Sequence, residues 1–125
     1  MPTYLIRQTY TEEALRFMVE NPTRQAGSLQ PTEELQKMFA ANGWTLLGHW
    51  LAVEDHEAGA VFVIDFPDRL DVARFALISH ARGHSKAFQA TPLLSMAEFR
   101  QVLGAAAGTP VDHRADDVPR VGSGV

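Results

Sequence analysis

The chain has 125 residues, 46% of them hydrophobic and 21% charged, with no cysteine. That is the size of one ordinary domain with apolar material for its own core, and it excludes a disulfide framework, a thiolate metal site and a cysteine nucleophile. Fifteen acidic against eleven basic residues give a net charge of −4, the wrong sign for a surface that tracks a phosphate backbone, so nucleic acid drops out as a partner.

From the start, Pro2–Gln8 reads as a strand with Tyr4 and Ile6 on one face and Leu5 on the other. Thr11 is a good helix N-cap, Glu12 and Glu13 fall in the first turn, and Ala14, Leu15, Met18 and Val19 make an apolar stripe at helical spacing. Asn21-Pro22 stops that helix, because the residue before proline is driven out of the helical region. After a polar stretch over 22–30, a second helix starts near Pro31 or Thr32, carries Leu35, Met38 and Phe39 on one face, and stops at Asn42-Gly43.

Trp44–Val53 reads as a strand apolar on both faces, with Trp44, Leu46 and Trp50 on one side and Leu47, His49, Leu51 and Val53 on the other. The polar turn Glu54–Gly59 joins it to a second two-sided strand, Ala60–Phe66, as a hairpin. Pro67-Asp68 opens a helix whose expected buried stripe is Leu70, Ala73, Leu77 and Ile78, ended by Gly83. Ser85–Leu93 is a last strand around Phe88, and Ser95 with Glu98 has capping-box spacing ahead of a closing helix through Phe99, Val102, Leu103 and Ala106. Residues 108–125 have no periodicity and read as a disordered tail behind a single domain over 1–107. Nothing approaches the roughly 18 apolar residues of a membrane span, and Met1 to Tyr10 has no signal-like apolar run. The expectation is a cytoplasmic protein with no membrane partner.

The order strand, helix, strand, strand, helix, strand, plus a closing helix is the ferredoxin-like split βαβ arrangement: α+β, with an antiparallel sheet and its helices on one face. A sheet with one wet face alternates apolar with polar, yet Leu46-Leu47, Trp50-Leu51 and Val61–Ile64 do not. Exposed large side chains forfeit roughly 25 cal/mol per Å² of unburied apolar surface, so the expected partner is a second copy of the chain, packed sheet face to sheet face as a homodimer.

Met1-Pro2-Thr3-Tyr4-Leu5-Ile6, Tyr10–Leu15, Val61–Asp68 and Thr91–Ser95 resemble the corresponding segments of GYD-domain proteins, and with the strand order the likeness covers about residues 2–104. The resemblance implies a small protein of the dimeric α/β-barrel kind. That wider group includes cofactor-free monooxygenases, cyclases, degradative enzymes and ligand-sensing modules. The Gly-x-Tyr-Asp segment that names the family belongs just before the third strand, where this chain has His56-Glu57-Ala58-Gly59, so any role of that Tyr and Asp is not carried over.

Several residues have the chemistry for a site. His49, in mid-strand, is a candidate general base because imidazole titrates near neutrality; the plain alternative is a hydrogen-bonded interface histidine. Arg7 suits a carboxylate or enolate and Asp65 an orienting role; the alternatives are a cross-strand ion pair and a strand-end cap. Trp44, Trp50, Phe88 and Met18 are candidate walls of an aromatic-binding pocket between sheet and helices, or ordinary core. His56 beside Asp55, Glu54 and Glu57 is a poor metal set, since neighbours on one turn rarely converge on an ion, and Gly83 breaks the i, i+4 spacing of His80 and His84. No phosphate loop or nucleophile elbow is present, and neither metal nor cofactor is expected. The leading expectation is a small-molecule-handling protein, with cofactor-free proton transfer on an aromatic or enolisable substrate by His49, Arg7 and Asp65. The alternatives are a non-catalytic ligand-sensing or protein-interaction module and, last, a metal enzyme using His49, His56 and Glu57.

Overall fold

The computed structural model describes residues 2–24 and 29–110. The elements follow the chain as β1 (Thr3–Tyr10), α1 (Glu12–Glu20), α2 (Thr32–Ala40), β2 (Thr45–Val53), β3 (Ala58–Asp65), α3 (Arg69–Ala81), β4 (Ser85–Leu93) and α4 (Met96–Ala107). The four strands form one sheet in the order β2-β3-β1-β4, every neighbour antiparallel. This is the expected ferredoxin-like α+β fold. The part of the expected tail beyond residue 110 lies outside the described residues.

Local chemistry sets the element ends. Thr11 Oγ1 accepts from the Ala14 amide at 3.0 Å and Asp68 Oδ1 from the Leu70 amide at 2.8 Å, so each helix start satisfies an amide that has no partner within the helix. Gly43 and Gly83 sit at φ 79° and 73°, left-handed conformations that a Cβ would strain, just after α2 and α3. Among the described residues, those from Leu94 to Pro110 belong to a separate compact unit. In it α4 begins at the expected capping box: Ser95 Oγ accepts from the Glu98 amide at 3.1 Å, and the Ser95 amide donates to Glu98 Oε1 at 2.9 Å. These two bonds hold the Glu98 carboxyl below its ordinary pKa.

The core lies on the helix-bearing face of the sheet. Ile6, Tyr10, Trp44, Leu46, Ala60, Phe62, Ile64 and Phe66 come from β1, β2, β3 and their ends, while Ala14, Leu35, Phe39 and Phe75 come from the helices. Phe75 is its hub, with the rings of Phe39, Trp44, Phe62, Phe66 and Phe88 at 5.4–6.2 Å. This corrects the expected α3 stripe. The buried positions are Phe75 and Ser79 with Val72 against them, whereas Leu70, Leu77 and Ile78 are exposed. Both sets have helical spacing, so periodicity alone does not choose between them. The hole between α2 and the sheet takes an aromatic ring, and that orients the helix.

A second correction concerns β2. Leu46 pairs with Ile64, but the next pairing is Gly48 with Val63, so Leu47 is an extra residue in a β-bulge. Past the bulge every side chain changes face. His49, paired with Phe62, joins Trp44 and Leu46 on the helix side, while Trp50, paired with Val61, goes to the opposite face. The Trp50 indole folds back over Gly48, where an added Cβ would sit 2.2 Å from the ring. The face turned away from α1, α2 and α3 carries Leu5, Val61 and Val63, half-buried, and Trp50, 58% exposed.

Candidate functional site

A cavity of about 820 Å³ opens between the sheet and α1, α2 and α3. Its size follows from side-chain volumes: Ala14 is the one buried residue of α1, and Ser79 stands where α3 would otherwise present a large apolar group. Trp44, Phe62 and Phe75 form an aromatic floor, and Phe17, Met18 and Met38 line the walls. This is the usual composition of a small-molecule pocket, predominantly apolar with a few placed polar groups.

The polar groups gather where β1 ends, α1 begins and α3 turns into β4. Gln8, 8% exposed, donates from Nε2 to the Ser79 hydroxyl, itself 5% exposed. They are the two polar residues buried in the described core, each satisfying the other across the wall. Tyr10, Glu13, Arg82, His84 and Ser85 complete that end. The His84 carbonyl accepts from the Thr11 amide at 2.9 Å, tying the β4 entrance to the α1 start. Asn42 is already engaged, accepting from Arg74 at 3.0 Å and donating to the Met38 carbonyl at 3.1 Å.

The residues singled out from the sequence are distributed differently. Trp44 and Met18 line the cavity. Phe88 lies edge-on to Phe75 at 5.8 Å, half-buried beside the core and outside the cavity lining, and Trp50 lies on the opposite face of the sheet. His49 is stacked flat on Phe62, centroids 5.0 Å apart and planes within 6°, and does not line the cavity. Arg7 and Asp65 project from the face turned away from α1, α2 and α3, Arg7 in an ion pair with Glu54 and Asp65 accepting from the Thr3 hydroxyl. His49, Arg7 and Asp65 therefore do not converge within one protomer, because the bulge at Leu47 turns His49 to the other side. Among the described residues no three His, Asp or Glu side chains come together as a metal set, and His49, His56 and Glu57 do not form one.

Sequence reading passed over the polar wall of the cavity. The signal was present in the pattern: Gln8 shares the helix-side face of β1 with Tyr4, Ile6 and Tyr10, and Ser79 follows Phe75 by one helical turn. A polar residue at a core position on each of two elements is a pairing, a pocket, or both.

Among known proteins, a family model described as GYD domain matches residues 4–103. No curated protein and no solved structure matches the chain. Between β2 and β3 the polypeptide makes a closed turn: the Glu54 amide donates to the Glu57 carbonyl at 2.8 Å, and Thr9 Oγ1 donates to the Glu57 carboxylate at 3.3 Å.

Proposed function

We propose, from the premise that the chain belongs to the GYD-domain family, that it binds a small molecule with an aromatic body in the cavity between sheet and helices. The observation that carries this reading is the cavity itself: about 820 Å³ above an aromatic floor, with Gln8, Ser79, Arg82 and His84 among its lining. A core meant only to pack would fill that space, since protein interiors reach crystal-like density. Any proton transfer on an enolisable ligand falls to His84 and Glu13, an imidazole and a carboxylate that line that end, rather than to His49.

A second copy of the chain over the open face of the sheet belongs to the same reading. It is supported by Leu5, Val61, Val63 and Trp50 on the face turned away from α1, α2 and α3. The sheet-to-helix cavity then remains intact in each protomer.

The test of the binding reading is titration with 2-naphthamide, an uncharged bicyclic aromatic, followed by Trp44 emission in a Trp50→Phe background. The expected result is saturable quenching at one site per chain, abolished by Ala14→Phe, which fills the space beside α1. Absence of saturable binding, or binding indifferent to Ala14→Phe, overturns the proposal.

A further inference from the structure

We infer that the cavity selects anionic ligands, aromatic carboxylates or ring-bound enolates, and that Arg82 with Ser79 is the charge-recognising pair. The inference deepens the binding reading above and rests on it. In a chain of net charge −4, the charged groups that line this space among the described residues run the other way: two guanidiniums, Arg24 and Arg82, against the carboxylate of Glu13, with His84 beside them.

The two arginines are not equivalent. Arg24 already lies over the Phe17 ring, 5.3 Å from its centroid. Arg82 makes no ion pair among the described residues. Its backbone is fixed, because its amide donates to the Ile78 carbonyl at 3.2 Å and Gly83 turns the chain away at φ 73°. The side chain is therefore the movable part of a rigid stem. Arg82 follows Ser79 by three residues, one helical turn further along the same side of α3.

Ser79 supplies the complementary donor. Its oxygen accepts from Gln8 Nε2, and among the described residues its own hydroxyl proton has no acceptor. A hydroxyl has one proton to donate. A carboxylate entering over the aromatic floor meets that proton and, one turn along, a guanidinium whose planar fork matches two oxygens. A neutral amide of the same shape offers a donor group where the site presents donors.

The experiment compares 2-naphthoate with 2-naphthamide, equal in shape and different in charge, by calorimetry on the full-length protein, on R82Q, and on R69Q, which removes the same charge outside the cavity. The wild type is expected to bind naphthoate about tenfold more tightly than naphthamide, the scale of one hydrogen bond to a charged group. R82Q brings that ratio close to one, and R69Q retains it. Equal affinities in the wild type, or a ratio unchanged in R82Q, overturn the charge selection while the cavity reading stands. If neither compound binds, the cavity reading itself has failed, and the selection with it.

Discussion

Truncating Phe75 to alanine separates the two readings of α3 most sharply. The ring is 7% exposed, and five aromatic rings surround it at 5.4–6.2 Å. A buried phenylalanine cut to alanine loses about 3–5 kcal/mol. The lower end applies here, because Phe75 borders existing open space and its removal enlarges a cavity rather than creating one. The expected loss is thus about 3 kcal/mol, and at the ~4 °C per kcal/mol usual for a chain of this size the melting temperature falls by roughly 12 °C. Leu77→Ala is the control: two residues along the same helix, 69% exposed, it loses about 0.5 kcal/mol or less. Urea unfolding followed by far-UV circular dichroism measures both, with unchanged slopes showing that the midpoint shifts report stability. A Leu77→Ala loss equal to or above that of Phe75→Ala would refute the placement of the core.

Three further expectations follow from particular contacts. Gly59→Ala places a Cβ 1.9 Å from the Gln8 carbonyl oxygen, which is backbone and cannot swing aside, so the β1–β3 pairing must open; urea unfolding should show a loss of about 3 kcal/mol, and a neutral substitution contradicts the register. The Glu98 carboxyl, held low by the Ser95 capping box, should titrate below an ordinary glutamate by NMR and return toward it in Ser95→Ala. A lowered folded pKa means the box's support for α4 is present above the unfolded carboxylate's range and fades as pH falls through the folded value. Trp50→Lys, a charge placed on the open sheet face, should convert a sedimenting dimer into a monomer with unchanged circular dichroism; a wild-type monomer at millimolar concentration removes the proposed second copy.

Much of the candidate site was legible as residue types and little of it as geometry. The aromatic floor was partly visible: Trp44 stood out, Phe62 read as one residue of a two-sided strand, and Phe75 lay outside the expected α3 stripe. Gln8 and Ser79 carry the polar wall, and each looks unremarkable until the other is placed against it across 71 residues of chain. His49, Arg7 and Asp65 had suitable chemistry, yet the faces they occupy depend on one extra residue in β2.

What the amino-acid sequence determined by itself were the properties that act over a few residues: the caps at Thr11, Asp68 and Ser95, the stops at Gly43 and Gly83, and the element order that leaves one sheet topology. These depend on hydrogen bonds and backbone sterics between near neighbours, and they survive any change in the rest of the molecule. Tertiary structure decided which of two apolar stripes of α3 turns inward and where the Leu47 bulge reverses the faces of β2. Both choices are settled by volume. A ring-sized hole beneath Phe39 accepts Phe75 but not Leu77, and the cavity exists because Ala14 and Ser79 are too small to close it.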